Sequence, residues 1–443
     1  MGRRDGARRC VAGRPGVWYL SLEASTERLP GRARGTGGAH VTTAEVIVVG
    51  AGPAGCCAAY HLGRAGVDVL LMDRCTFPRE KVCGDALSPT ALVTIGEMGL
   101  GELAGGAERV SGTYVFAPSG QHTVTYTGRP GAVVERRRLD LALLEHARSA
   151  GARFLAPRRL KGIRVSGPGV HVETDDGARV AGRAVVLATG ANAGALSAAG
   201  VLRRAAPAAF GRRAYFEGVD CRPDRIAHCF ERFLLPGYGW IFPMGSGRAN
   251  VGVAGHVVAG RRLDLARRFE RFVRASAASR RFLRGARQVS PALTAPLRMG
   301  LRGSLLVSGS VLAVGDAGGA AYPLNGEGIT SALATGRLAA DTLLAALRTG
   351  ELSSRSLGAY PRRVRQLYGR QFAQADWVKR MMGSPLLINA FVRLTQGDEV
   401  FADEMAWTLT GQNSARRLLT RAVAGKVGAA CVSAVLDRRG AIH

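Results

Sequence analysis

The stretch AEVIVVGAGPAGCCAAYHL, residues 44–62, constrains this chain more than any other. The β-branched run Val46 to Val49 fits a short buried strand, because a strand covered on both faces reads as a continuous apolar run. The chain then passes through Gly50-Ala51-Gly52-Pro53-Ala54-Gly55 into sequence of helical character. Gly50 permits the tight turn, Gly52 lets a diphosphate come close to the backbone, and Gly55 lets helix and strand pack closely. Pro53 and Ala54 open the helix, whose N-terminus offers N–H groups and a positive dipole end to an anion. A second strand, VDVLLMD, ends at Asp73, with Arg74 next to it; a carboxylate about 20 residues beyond such a loop holds ribose hydroxyls. The unit binds a dinucleotide.

Which dinucleotide is decided elsewhere in the chain. In SVLAVGDAGGAAYPLNGEGITSALATGRLAA, residues 310–340, a strand runs into Gly315-Asp316, and a turn carrying Gly326 and Gly328 feeds a helix at Ile329. A late Gly-Asp suits the ribityl and diphosphate part of a flavin nucleotide, and a helix N-terminus suits the flavin's pyrimidine end, where negative charge collects on reduction. Arg136 precedes Asp140 by one helical turn, and VVLATGAN closes another strand at Ala188-Thr189-Gly190. Three separated segments returning to one dinucleotide fit FAD better than NAD. GSGRAN, residues 245–250, lacks the third glycine and the helix of a second such loop. NADPH, another reductant or an electron-carrier protein is therefore expected to dock transiently.

The net charge of +28 is almost all arginine, since only Lys81, Lys161, Lys379 and Lys426 are lysines. The arginines are scattered rather than gathered into an arm, which argues against nucleic acid. Two readings stay open: attraction to anionic lipid heads or a diphosphate, and a solvated surface shaped by G+C-rich coding. Eight cysteines without a Cys-x-x-Cys pair indicate free thiols in a reducing cytosol and no metal. His228 beside Cys229 is read as incidental. No apolar run is long enough to span a bilayer. AVAGKVGAACVSAVL, residues 422–436, is either a buried helix or one lying in a membrane interface. The location expected is cytoplasmic or peripheral at the inner membrane face. Residues 1–40 show no periodicity and are expected to be an unstructured or mis-assigned extension, with translation starting at Val41.

Two further segments narrow the reading. FPREKVCGDALSP, residues 77–89, sets Cys83-Gly84 after Arg79-x-Lys81. PGYGWIFPMGSGRANVGV, residues 236–253, carries Tyr238, Trp240, Phe242 and Pro243. The alternation of Tyr238, Trp240 and Phe242 puts the three rings on one face of a strand. From about residue 44 to about 400 the chain resembles the geranylgeranyl reductase family, FAD-dependent proteins with the architecture of p-hydroxybenzoate hydroxylase. The resemblance implies an α/β fold: a Rossmann-like FAD-binding domain (44–110, 130–200 and 303–348) interleaved with an antiparallel β-sheet substrate domain (111–129 and 201–302). Helices follow from 349 to 443.

The resemblance also implies reduction of isoprenoid double bonds in a prenyl lipid: a menaquinone side chain, geranylgeranyl diphosphate or a related polyprenyl compound. Tyr238, Trp240, Phe242 and Pro243 become substrate-binding candidates. Cys83 is the first candidate for proton delivery, with Tyr238 and Trp240 beside it and Tyr215 behind them. The other function classes are a flavin monooxygenase or halogenase acting on an aromatic substrate, and an electron-transfer flavoprotein. Against the halogenase stands the Tyr-x-Trp-x-Phe-Pro segment, which replaces Trp-x-Trp-x-Ile-Pro. Asp176-Gly177 in ETDDGARV reads as a hairpin turn rather than an aromatic hydroxylase signature.

Overall fold

Three wholly apolar runs form the middle of one sheet. The computed structural model describes residues 42–402 apart from 106, 168, 202–206 and 399–400; the N-terminal extension and the 422–436 stretch lie outside the described residues. β1 (Thr42–Thr43) leads to β2 (Val46–Val49), α1 (Pro53–Arg64) and β3 (Val69–Met72). The chain leaves for a second sheet through β4 (Ala86–Leu87), α2 (Pro89–Glu97), β5 (Glu108–Phe116) and β6 (His122–Val133). It returns with α3 (Arg136–Ser149) and β7 (Arg153–Leu155). An antiparallel meander follows, β8 (Leu160–Ser166), β9 (Gly169–Thr174) and β10 (Arg179–Gly182), with β1 on its edge. β11 (Ala184–Leu187) re-enters the first sheet and ends before α4 (Ala193–Ala198).

The second sheet resumes with β12 (Ala209–Glu217), β13 (Arg225–Cys229), β14 (Gly237–Gly245) and β15 (Arg248–His256). Helices α5 (Leu265–Ala275) and α6 (Ala277–Phe282) precede β16 (Arg287–Gln288) and β17 (Leu293–Leu297). The chain finishes the first sheet with β18 (Val307–Ser308) and β19 (Val311–Ala313). Then come α7 (Ile329–Thr349), α8 (Ala359–Met381) and α9 (Pro385–Gly397).

The first sheet has the order β18-β19-β11-β2-β3-β7 and is parallel apart from the β18–β19 pair. All residues of β2, β3 and β11 are buried, as helices on both faces of a parallel sheet require. The loop after β2 closes as the sequence implies. Gly50 has φ +107°, and a Cβ there would stand 2.3 Å from the Ala188 carbonyl oxygen; one on Gly55 would stand 1.8 Å from that of Gly50. Only glycine fits either position.

The second sheet has nine strands, in the order β16-β12-β15-β14-β13-β5-β6-β4 with β17 also on β12. The expectation of an antiparallel sheet needs one correction, because β13 runs parallel to β5. The β5–β6 hairpin is inserted from the first sheet, so no tight turn dictates its direction relative to β13. Its strands also run past the expected limits at 110/111 and 129/130. Val110 pairs with Gly131 and Gly112 with Tyr126, so residues 127–130 are taken up as an irregularity within β6 instead of ending it. Gly128-Arg129-Pro130-Gly131 looks like a break in sequence, yet a bulge accommodates the extra residues.

Candidate active site

A single cavity runs from the glycine loop to the aromatic strand. Gly50, Gly52, Pro53 and Ala54 line it beside Asp73 and Arg74; Gly315, Asp316, Gly326, Gly328 and Ile329 line it as well, and Gly315 lies against Ala54 of α1. Arg136, Cys83, Tyr238, Trp240 and Phe242 complete the wall toward the second sheet. Gly55, Tyr215 and Pro243 stand outside this lining. For Gly55 this fits its packing role. For Tyr215 and Pro243 it corrects the expectation of direct contact: Tyr215 points at a buried carboxylate, and Pro243 pairs with Ala249 beyond the aromatic face.

The nucleotide end is built from backbone donors and paired charges. Asp73 Oδ2 accepts the Ala51 N–H at 2.8 Å and its Oδ1 accepts that of Cys75 at 3.0 Å, which pins the carboxylate at the end of β3. Among the described residues no side chain caps α1 at Gly52, so its first N–H groups face the cavity. A Cβ on Gly52 would meet only Arg79 Nη2, at 3.7 Å. Arg136 at the start of α3 gives Asp140 a two-pronged pair of 2.7 Å bonds, and Arg79 adds a third contact at 3.1 Å. Burial opposes the Arg136 charge, but Asp140 outweighs it and the guanidinium is held protonated. Asp140 is fully buried. The glycine motif reveals neither Asp140 nor Arg79, although the Arg136–Asp140 spacing signals half of the pair. Burial raises the Asp316 carboxyl, opposed by Lys81, Arg136 and Arg298. An open helix N-terminus, a glycine bordered by an arginine guanidinium, and arginines already oriented by a buried aspartate fit a dinucleotide diphosphate. The residues present suit FAD.

The other end is aromatic and largely buried. On β14 the rings of Tyr238 and Trp240 lie 5.9 Å apart, and those of Trp240 and Phe242 6.2 Å. His228, opposite Trp240 in the sheet, sits 5.5 Å from Tyr238 and 5.3 Å from Phe242. It lines the cavity, and burial lowers its imidazole to about 4, so it is neutral at physiological pH. Nothing in the dipeptide His228-Cys229 distinguishes it in sequence. A Cβ on Gly252 would lie 2.2 Å from Trp240 Cζ2, so glycine lets the indole lie against β15. Tyr238 donates its hydroxyl proton to the Asn325 carbonyl, tying the aromatic strand to the turn before α7.

Cys83 is half-buried between these ends. Burial raises its thiol above the ordinary value, with Arg136 pulling the other way. The group is a thiol rather than a thiolate at neutral pH and can give up a proton. Behind it, Asn250 Nδ2 donates to the Cys83 carbonyl and to Asp85 Oδ2, each at 2.8 Å, while Asn250 Oδ1 accepts the Trp240 indole N–H at 2.9 Å. Asn250 was visible only as part of Asn-Val-Gly, and Asp85 only as the residue after Cys-Gly.

Comparison with known proteins places the chain in a family. A family model described as FAD binding domain matches residues 43–209. A menaquinone reductase of Mycobacterium tuberculosis is 34% identical over 77% of this chain and 85% of its own. A digeranylgeranylglycerophospholipid reductase of Methanopyrus kandleri is 31% identical over 75% of this chain and 84% of its own. Among solved structures, a geranylgeranyl bacteriochlorophyll reductase-like protein of Thermoplasma acidophilum superposes with a TM-score of 0.74 at 20% identity, covering 86% of this chain and 99% of that one. At that identity it speaks for the fold alone. The sequence relatives carry the assignment further: this chain belongs to the geranylgeranyl reductase family of FAD-dependent oxidoreductases.

Proposed function

We propose that the protein saturates isoprenoid double bonds of a prenyl lipid, with a menaquinone side chain as the substrate ahead of geranylgeranyl diphosphate. The observation that carries this reading is the continuity of the cavity. A charged nucleotide cradle opens into a wall of Tyr238, Trp240 and Phe242 with Ile226, Leu297 and Met299 nearby, which is chemistry for an apolar chain. The preference for menaquinone rests on the 34% identical relative of that name. We assign the six-stranded sheet to the cofactor and the nine-stranded sheet to the lipid.

Reduced FAD, when bound, would supply the hydride for one carbon of the double bond, the other carbon taking a proton. The residues of this chain govern the rest. Arg136 and Arg79, set by Asp140, hold the diphosphate. The faces of Trp240 and Tyr238 stabilise cationic character at the alkene by about 0.5–2 kcal/mol each. Cys83 holds the proton at Sγ and donates it; the exclusion of water by the aromatic wall keeps that proton from solvent. Electrons arrive from NADPH or a carrier protein that docks transiently. A lipid substrate brings the protein to the membrane surface, and among the described residues no helix is long and apolar enough to cross it.

Chemically reduced, FAD-loaded protein offered menaquinone and geranylgeranyl diphosphate without oxygen tests the proposal by product mass. A pair of added hydrogens on menaquinone is the expected result. Addition to the diphosphate instead would correct the substrate. No addition to either, with oxygen consumed once an aromatic compound is supplied, would replace the reductase reading by oxygen chemistry.

A further inference from the structure

We propose that Asp85 is a positioning residue of this site: acting through Asn250, its buried side chain holds the Cys83 loop and the Trp240 indole in one register. The proposal rests on the reading that Cys83 and Trp240 flank the reacting double bond. Asp85 is 0% exposed, and its φ of +64° lies in the left-handed region where aspartate is one of the few tolerated side chains. Its backbone carbonyl accepts the Val134 N–H at 2.8 Å, which fastens the loop to the end of β6. The side chain does not border the cavity itself, so it acts through others.

The direction of each bond follows from the chemistry of the partners. An indole N–H can only donate and a carbonyl can only accept. Trp240 on one side and the Cys83 carbonyl on the other therefore leave the Asn250 amide a single orientation. Its second N–H is then committed to Asp85 Oδ2, which also accepts the Tyr215 hydroxyl at 2.8 Å. Four separate pieces of chain, the 83–85 loop, β12, β14 and β15, meet in this array. Tyr215, placed at sequence level near the flavin, finds its role here.

Charged groups surround the carboxyl from every side. Arg213, itself 1% exposed, lies 4.1 Å over the Tyr215 ring and pairs with Glu80. Arg136 and the Cys83 thiol stand on the cavity side, and Glu135 acts on Tyr215. Among the described residues Asp85 Oδ1 has no hydrogen-bond partner. Burial pushes the carboxyl up to about 7, against the bonds from Asn250 and Tyr215 and the charges of Arg213 and Arg136. A proton on Asp85 weakens the acceptor on which Asn250 depends. The geometry thus joins the register of the site to the protonation of a residue that never touches substrate.

The test uses reduced, FAD-loaded protein and two readouts. One is anaerobic flavin reoxidation by menaquinone across pH. The other is the rate at which N-ethylmaleimide modifies Cys83, read by peptide mass with no prenyl compound present. Asp85→Ala is expected to slow reoxidation about 100-fold, the effect of a displacement near 1 Å, with FAD retained and Cys83 modification changed about fivefold or more. Asp85→Asn keeps an acceptor for Asn250, so it should recover the rate to within about tenfold and lose the fall in rate below pH about 7. Wild-type behaviour of Asp85→Ala in both readouts overturns the proposal, as does an unchanged acid limb in Asp85→Asn. If Asp85→Ala does not fold, the acid limb of Asp85→Asn decides alone. If wild-type protein turns over no prenyl compound, the prenyl-reductase reading falls, and Cys83 modification in both variants still decides the positioning.

Discussion

The two ends of the cavity are held by different forces. At the nucleotide end the shape is set by backbone contact: Gly50 and Gly55 lie where any Cβ would strike a carbonyl oxygen, at 2.3 and 1.8 Å. At the aromatic end it is set by side chains that reach one another across the sheet, Trp240 to Asn250 to Asp85 to Tyr215. The first kind of order is steric and local, and a single added methyl abolishes it. The second is directional and distributed, and it yields by degrees. Substitutions at the nucleotide end should therefore empty the protein of flavin, whereas those at the aromatic end should leave it yellow and slow.

The sharpest way to break the comparison is Gly55→Val. The side chain cannot fit between α1 and the Gly50 carbonyl, so a cost on the order of 4–5 kcal/mol is expected. Purified protein should carry no FAD by its visible absorbance; a full flavin complement would show that the turn is not the cradle. Asp140→Asn follows. It leaves Arg136 without its carboxylate partner in a buried place and Arg79 with only its 3.7 Å contact to Asp73, a loss of about 3–5 kcal/mol when one partner of such a pair goes. Because a bound diphosphate would itself neutralise those arginines, thermal unfolding should show a larger loss without FAD than with it. Equal losses would remove these arginines from the diphosphate site.

Trp240→Phe probes the other end. The ring face stays while the indole N–H is lost, leaving Asn250 Oδ1 buried without a donor at a cost of about 1–3 kcal/mol. FAD content should match wild type while turnover falls by about 10- to 100-fold. A flavin-free Trp240→Phe protein would erase the contrast between the two ends.

The same contrast explains what could be read from the amino-acid order. Gly50 to Gly55 and Asp73 sit within one strand–helix–strand unit, so their spacing carries their meaning. The period-two rings of Tyr238, Trp240 and Phe242 declare a shared face for the same reason. The Asp85 array has no such spacing: Asn250 lies 165 positions from Asp85 and Tyr215 lies 130 away. The pairing of β12 with β15 and of β15 with β14 brings Tyr215, Asn250 and Trp240 together, and the loop before β4 carries Asp85 to them. The hairpin limits failed for a related reason, since a bulge at 127–130 depends on the partner strand and not on Gly-Arg-Pro-Gly alone. Tyr215 was thus assigned to the right neighbourhood and the wrong contact.

The smallest effect sharpens the comparison most, because it separates what the fold needs from what the site needs. The Asp85 carboxyl titrates at about 7 when folded, against 3.8 ordinarily. Folded protein therefore binds more protons than unfolded protein between those values, and the charge at Asp85 costs stability that grows as pH rises from about 4 to about 7 and is constant above. At one pH unit per 1.36 kcal/mol the ceiling is about 4 kcal/mol. Asp85→Asn removes that term, but it puts an amide N–H where Oδ1 lacks a partner, which returns about 1–3 kcal/mol. The variant should be about 1–3 kcal/mol more stable than wild type at pH 8 and lose that advantage at pH 4. Denaturant midpoints at the two pH values measure it. A variant stabilised at pH 8 yet slower in turnover would mean that the carboxylate is kept for the site at the expense of the fold. A variant less stable at both pH values would make Asp85 a structural residue of the loop, and the aromatic end would then rest on packing as the nucleotide end does.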